Sequence, residues 1–154
     1  MNHFPRFLRI ALLAEPMTLA ACGMAPKADP TPMGSAGSVG FSATLTGAAE
    51  VPANTSAATG RLDASFEKAK NTLRWTVTCS GLSGPATMAH CHGPALANAT
   101  AGVAEPFPSA LSPASGETML TPTQIDDLMA GKWHANVHTA LYPGGEIRGQ
   151  VLRK

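Results

Sequence analysis

The sequence has few charged and few aromatic residues. Asp, Glu, Lys and Arg make up 14% of the 154 residues and aromatic residues 5%, whereas charged residues alone make up roughly 25% of an average chain. The formal net charge is only +1, so the chain lacks the basic stripe of a nucleic-acid-binding protein. No apolar run reaches the about 18 residues of a membrane-spanning helix without a charge or a proline. We therefore exclude a nucleic-acid partner and a protein with several membrane spans.

Familiar catalytic signatures are also missing. The sequence contains no Gly-x-Ser-x-Gly nucleophile motif and no glycine-rich phosphate-binding loop. Classical hydrolase and nucleotide-dependent functions thus have no support, and we expect a binding protein rather than an enzyme. Gly (15) and Pro (13), by contrast, are abundant, which indicates many turns and few long helices in what is, by its length, one domain.

The N-terminal segment has the form of a secretory signal. Arg6 and Arg9 precede an apolar run over residues 10–21, and a positive flank before a short apolar stretch is typical of such signals. The run ends in Leu-Ala-Ala-Cys at 19–22, which resembles the bacterial lipobox, in which the cysteine is lipidated and becomes the first mature residue. A signal cleaved nearby, with Cys22 left free, and a short buried segment are the alternatives.

These patterns divide the chain into three parts. Residues 1–21 are the predicted lipoprotein signal peptide, 22–38 hold the lipidated cysteine and a flexible linker rich in Pro, Ala, Gly and Ser, and 39–154 form the folded domain. Acyl chains on Cys22 would anchor this domain at the periplasmic face of the cell envelope. Because Gly23, and not Asp, follows that cysteine, we expect the outer rather than the inner membrane.

Apolar and polar residues alternate along much of the domain. Such alternation indicates half-buried β-strands, and glycines and prolines separate the predicted strands: 41–46, 62–67, 73–79, 133–138 and 147–152. The segment 121–131 instead predicts a short helix, with Thr121 as N-cap, Pro122 in the first turn and Gly131 at the end. We therefore predict an all-β fold, an antiparallel sandwich or barrel with one short helix.

Four of the five histidines lie in the domain, as His-x-His (His90, His92) and His-x-x-x-His (His134, His138). Side chains alternate along a strand, so the members of each pair point to the same side, and Asn136 shares the side of the second pair. Both pairs are predicted on faces away from the core, and up to four imidazoles converge if their strands are neighbours. Solvated histidines, or histidines bonded to the backbone in loop corners, are the alternative.

The His-x-His pattern on a strand favours metal binding, because two neutral imidazoles approach one ion from the same face. Imidazole binds copper, zinc, iron and nickel, and the thioether of Met88, on the side of His90 and His92, would favour Cu(I). The histidines therefore predict a transition-metal site.

Two cysteines of the domain are predicted to point inward. Cys79 lies on the apolar side of its strand, and Cys91 lies between His90 and His92 and so points away from them. An exported chain meets an oxidising compartment, in which two interior thiols often pair. We therefore predict a Cys79–Cys91 disulfide. Two buried free thiols, or Cys91 as a metal ligand on a bulged strand, are the alternatives.

Several motifs of the domain are similar to those of the CHRD (chordin) domain family. They are Glu-Val-Pro at 50–52, Gly-Leu-Ser-Gly-Pro-Ala-Thr at 81–87, His-Cys-His-Gly-Pro-Ala at 90–95, Asn-Val-His-Thr at 136–139 and Pro-Gly-Gly-Glu-Ile-Arg-Gly-Gln at 143–150. The resemblance covers about residues 39–151 and implies an extracellular or periplasmic β-sandwich or barrel. The family is named for repeats in an antagonist of secreted signalling proteins, so the resemblance implies a fold and a compartment more than an activity.

The Gly-Leu turn followed by His-x-His also looks like the copper-ligand strand of Cu/Zn superoxide dismutase, a Greek-key β-fold. This resemblance implies copper, or else zinc, on His90 and His92 with His138 as a third ligand. His134 or Met88 would complete the coordination sphere. The sequence shows neither a second cluster of His and Asp for a zinc ion nor a bridging histidine, so dismutase activity is not expected.

Glu146 and Arg148 alternate on one side of the last predicted strand. One hypothesis is an ion pair which, together with Asn136, orients a metal-binding histidine without touching the metal. The hypothesis that we favour is a structural fork that holds the hairpin at 143–145.

The resulting hypothesis is a lipid-anchored periplasmic CHRD-type domain that binds or handles copper. The rival is a metal-free adhesion or protein-interaction module of the envelope, with Leu141 and Tyr142 in its contact surface. An enzyme of the superoxide-dismutase type is the third hypothesis. No motif indicates a particular protein partner.

Overall fold

The computed structural model describes residues 37–154 of the protein. The predicted signal peptide at 1–21, the lipidation site Cys22 and the predicted linker as far as residue 36 lie outside the described residues. Within 37–154, no helix is long and apolar enough to cross a membrane. The elements are β1 (Ser38–Thr46), a 3₁₀ turn (Gly47–Ala49), β2 (Thr59–Glu67), β3 (Thr72–Ser80), β4 (Ala86–His92), β5 (Val103–Pro106), β6 (Ala114–Met119), α1 (Pro122–Met129), β7 (Trp133–Thr139) and β8 (Ile147–Arg153).

The eight strands form one antiparallel sheet in the order β5-β4-β7-β8-β1-β2-β3-β6, which curls into a nearly closed barrel. The helix packs against β8. It also reaches the edge strand β5, where the side-chain amide of Gln124 donates a hydrogen bond to the carbonyl of Ala104 at 3.0 Å. The predicted all-β antiparallel fold with one short helix is confirmed. Of the two predicted architectures, the chain adopts the barrel.

The alternating strands fill the barrel with apolar side chains. On β1, every second residue from Val39 to Leu45 is buried, and the same period holds on β2 and β3. Among the side chains of this core that are at most 2% exposed, the largest are Trp133, Phe41 and Phe66. Complete burial of a large apolar side chain contributes about 1.5–3 kcal/mol to stability. Each strand therefore turns its apolar side inward, as the period-two pattern of the sequence predicts.

The helix α1 forms within the predicted segment, with the predicted cap. The hydroxyl of Thr121 accepts a hydrogen bond from the backbone N–H of Gln124, whose side-chain oxygen accepts from the backbone N–H of Thr121. This capping box satisfies two N–H groups that a helix leaves unpaired at its start. Pro122 occupies the first turn, where its missing N–H costs nothing. Gly131, beyond the end, has a φ of +67°, which glycine adopts without strain.

Strands β8 and β1 approach each other closely at Gly149. A Cβ atom at this position would run into the backbone carbonyl of Thr44 on β1. A side chain there would therefore push the two strands apart, and glycine is what allows the sheet to continue from β8 to β1.

The predicted disulfide is wrong: Cys79 and Cys91 are both free. Cys91 is buried in the barrel and Cys79 is partly buried, so the predicted inward direction is correct. However, they lie on β3 and β4, and four strands separate these two in the sheet. Burial, with a smaller contribution from the carboxylate of Glu105, raises the pKa of the Cys91 thiol. That thiol belongs to the core face and does not face the histidines.

Candidate metal centre

Strands β4 and β7 are neighbours, which brings the two histidine pairs together. In the ladder, His92 lies opposite His134 and Met88 lies opposite His138. A register irregularity between residues 86 and 88 precedes this stretch, so the alternation that places His90 and His92 on one face is kept. The condition on which the four-imidazole hypothesis depended is thus met.

Three of the imidazoles form a cluster. The ring centroids of His90 and His92 are 4.5 Å apart, and those of His90 and His138 are 4.6 Å apart, both in edge-to-face arrangements. One nitrogen from each of the three rings can be chosen so that these atoms all lie within 4.8 Å of one another. The ring of His134 instead stacks on His92, with centroids 5.0 Å apart and planes inclined by 10°. The structure therefore joins His90, His92 and His138, which we call the imidazole cluster, and sets His134 beside it.

The polar face of β7 is buried rather than solvated. His134 is 2% and His138 is 5% exposed, although both were expected on a face turned away from the core. The reason is that the loop 93–102 covers this face. Arg148 on β8 donates a hydrogen bond to the carbonyl of Ala99 at 2.7 Å, and other carbonyls of the same loop are bonded to side chains of β4 and β8. The histidines thus lie between the sheet and its covering loops.

Two backbone carbonyls fix the protonation of two rings. Nδ1 of His92 lies 2.8 Å from the carbonyl oxygen of Ala101, and Nδ1 of His138 lies 3.0 Å from that of Pro143. A carbonyl oxygen only accepts hydrogen bonds, so both Nδ1 atoms carry the proton and each Nε2 atom keeps its lone pair. Nε2 of His138 is buried and has no hydrogen-bond partner within residues 37–154, and the same holds for Nδ1 of His90.

Two imidazoles of the cluster, those of His90 and His138, are uncharged at neutral pH. Burial, with repulsion from His138 and His92, lowers the pKa of His90 to about 4. Burial likewise lowers the pKa of His138, and burial together with the charge of Arg148 lowers the pKa of His134 to about 3. Neutral rings are the form that binds metal ions.

The buried carboxyl group of Glu50, which contacts a neighbour of the cluster, was not expected from the sequence. Asn136 lies opposite His90 in the ladder and donates a hydrogen bond from Nδ2 to Oε1 of Glu50 at 2.7 Å. Glu50 is only 8% exposed. Burial raises the pKa of Glu50 to about 7, although attraction to Arg148 opposes this shift. The only sequence signal for Glu50 was its place in the Glu-Val-Pro motif.

Glu50 should make the stability of the protein depend on pH. Its folded pKa of about 7 lies above the unfolded value near 4.3. The stabilisation that protonated Glu50 allows is therefore complete below about pH 4.3 and is lost as the pH rises through 7, by up to about 3 kcal/mol. Glu50→Gln removes this titration but leaves the opposite contribution of the buried histidines in place. In urea unfolding, the change in stability from pH 4.5 to pH 8 should therefore be more favourable in the variant than in the wild type, by up to about 3 kcal/mol. Glu117→Gln, at an exposed position, is the control, and parallel curves for the wild type and Glu50→Gln would refute the assignment.

The predicted ion pair between Glu146 and Arg148 does not form, because each has other partners. Glu146 is fully buried, and its carboxylate accepts hydrogen bonds from Ser56, Ser83 and Thr139 at 2.6–2.8 Å. Burial alone would raise the pKa of Glu146, but these hydrogen bonds hold it below the usual value. Arg148 reaches the opposite loop instead. The structural alternative, a carboxylate that holds the hairpin, is the one that the contacts favour.

Met88 lies next to the cluster on β4. Met88 is 51% exposed, whereas His138, opposite to it on β7, is almost completely buried.

Leu141, predicted in an exposed contact surface, is 69% exposed.

Comparison with known proteins gives one match. The model of the CHRD domain family matches residues 41–151, which span β1 to β8 and include all four histidines of the domain. No curated protein and no solved structure matches the chain.

Proposed function

This chain belongs to the CHRD domain family, and we propose that it binds one transition-metal ion, copper in preference to zinc, through His90, His92 and His138. The observation that carries the proposal is the convergence of three imidazole nitrogens within 4.8 Å. One of these rings, His138, keeps a buried Nε2 without a partner among the described residues. An unsatisfied buried polar atom costs about 1–3 kcal/mol, and a bound ion would remove that cost.

The size of the cluster fits a metal ion after a small adjustment. Imidazole nitrogens lie about 2.0–2.1 Å from a bound metal, so two ligand atoms of one ion are at most about 4 Å apart. The present separations of up to 4.8 Å therefore require the rings to close by less than about 1 Å. Side-chain rotation at the partly buried His90 and His92 can supply this movement.

The backbone partners of the rings support the same proposal. Metal-binding histidines commonly donate their second ring N–H to a carbonyl, which fixes the ring orientation. His92 and His138 have such partners in Ala101 and Pro143. His90, whose unpartnered atom is Nδ1, would bind through that nitrogen.

Copper is proposed on the chemistry of the donor set. Imidazole sites bind Cu(II) more tightly than the other divalent ions of the first row, Zn(II) included. Within residues 37–154, this is the one cluster of three or more His, Cys, Asp or Glu residues suited to a metal ion. We therefore propose binding and handling of the ion rather than turnover, with His134 or Met88 as candidates for a fourth ligand.

Titration of the purified metal-free protein with Cu(II) and with Zn(II) tests this function. We expect uptake of one equivalent of copper, and weaker binding of zinc. Uptake of neither ion would overturn the proposal and would favour the metal-free interaction module, whose exposed Leu141 is in place.

We also propose that lipid on Cys22 holds the domain at the periplasmic face of the envelope, in the outer membrane. The support is the Leu-Ala-Ala-Cys sequence after a short apolar run. Cys22→Ala should move the protein from the membrane fraction to the soluble fraction of the cells that express it. Fractionation that does not change with this substitution would contradict the anchor.

A further inference from the structure

The outer face of β4 carries three donors in alternating positions. Met88, His90 and His92 share this face, while the residues between them are buried in the barrel. Side chains two apart on a strand lie on the same side, and residues directly opposite on neighbouring strands have Cβ atoms about 4.5–5.5 Å apart. Met88 is therefore a neighbour of two cluster members: His90 along its strand and His138 across the ladder.

His134 is poorly placed as the fourth ligand. Its ring lies nearly parallel to that of His92, with 10° between the planes and 5.0 Å between the centroids. The lone pair of an imidazole lies in the ring plane, so the lone pairs of stacked rings lie in separate parallel planes and do not meet at one ion. His134 is also not among the three residues whose ligand atoms converge.

Met88, in contrast, lies beside His90 on β4 and opposite His138 on β7. Half of its side chain is exposed, and a methionine has three rotatable bonds with which to bring its sulfur to an ion.

On the basis of the proposed metal function, we infer that the thioether of Met88 is the fourth ligand and that it makes the site selective for Cu(I). Soft thioether sulfur prefers Cu(I) over Cu(II) and Zn(II). Three neutral imidazoles and one neutral thioether add no charge to the ion, which suits a monovalent ion in a largely buried site.

The experiment compares Met88→Leu with Met119→Leu in the otherwise unchanged protein. Leucine keeps the size and apolar character but removes the sulfur. Met119 is also exposed, at 74%, but lies on β6, which pairs only with β3, so its replacement is the matched control. Cu(I) affinity is measured by competition with a chromogenic Cu(I) chelator, Cu(II) affinity by titration, and the ligand atoms by X-ray absorption of the Cu(I) protein.

We expect a sulfur ligand in the wild type and in Met119→Leu, and its loss in Met88→Leu. Cu(I) affinity should fall at least about tenfold in Met88→Leu, since even outer partners of a metal site contribute that much. Cu(II) affinity should change by less than about threefold. A wild type that binds Cu(II) but shows only nitrogen and oxygen ligands to Cu(I) overturns this inference and leaves the imidazole site intact. A wild type that takes up neither ion overturns the proposed function as well.

Discussion

Replacing His90 and His92 together by alanine is expected to abolish stoichiometric copper binding. These two rings supply two of the three converging nitrogens, and His138 is then the only member of the imidazole cluster that remains. An ion that binds the native state stabilises it by about 2.7 kcal/mol at a hundredfold excess over its Kd. We therefore expect copper to raise the free energy of unfolding of the wild type by about this amount, and that of the double variant not at all, in urea unfolding with and without Cu(II).

A second double variant controls for effects on folding. Thr76→Ala with Thr78→Ala has the same spacing on the outward side of β3, far from β4 in the sheet order, and should keep the full response to copper. If the histidine variant kept its response, the ion would bind elsewhere on the protein. An equally weak response in all three proteins would reduce the histidines to structural residues.

Replacing Glu146 by alanine is expected to lower the free energy of unfolding by about 3–5 kcal/mol. Its buried carboxylate accepts four hydrogen bonds: one from Ser56, two from Ser83 and one from Thr139. Alanine leaves all four donors without this acceptor inside the protein. The substitution also removes the hydrogen bonds that join the loops containing Ser56 and Ser83 to Glu146, which directly precedes β8, and the bond that joins Glu146 to Thr139 on β7. Urea unfolding, with the m-value checked for two-state behaviour, measures the loss.

Glu117→Ala is the matched control for this prediction. Glu117 lies on β6 with 61% of its side chain exposed, in an ion pair with Arg74 at 2.8 Å. Exposed ion pairs contribute about 0–1 kcal/mol, so the control should be almost as stable as the wild type. A loss as small in Glu146→Ala would show that water replaces the carboxylate, and that the buried network does not hold the loops.

The sequence predicts β1, β2 and β3 because each of them buries one face only. On β2, Leu62 and Phe66 point into the barrel and Asp63 points outward, so the sequence itself alternates. The helix could be predicted for a different reason: Thr121 and Pro122 define its start locally, without any tertiary contact. Features whose cause lies within a few residues are those that the sequence shows best.

The two edge strands escaped prediction because they bury little apolar surface. β5 has four residues and ends in Pro106. β6 contains Gly116 and polar neighbours, and it packs against the ring of Trp75, which a Cβ at this glycine would strike. Their strand conformation comes from pairing with β4 and β3, and this pairing is not visible in a local pattern.

For the site, alternation predicted directions but not neighbours or cover. It correctly placed His90 and His92 on one side and Cys91 on the other. The same reasoning led to a false disulfide, because an inward direction does not tell which strands are adjacent. The burial of His134 and the contact of Glu50 with Asn136 depend on loops that come from distant parts of the chain. No period in the sequence encodes them.

In the function that we propose, one ion is held between three imidazoles on the outer face of β4 and β7. Crystals of the copper-loaded protein, measured on both sides of the copper absorption edge, locate the ion directly. We expect one strong anomalous peak within about 2.0–2.3 Å of nitrogens of His90, His92 and His138. A peak at other residues, or only weak peaks scattered over the surface, would contradict the claim.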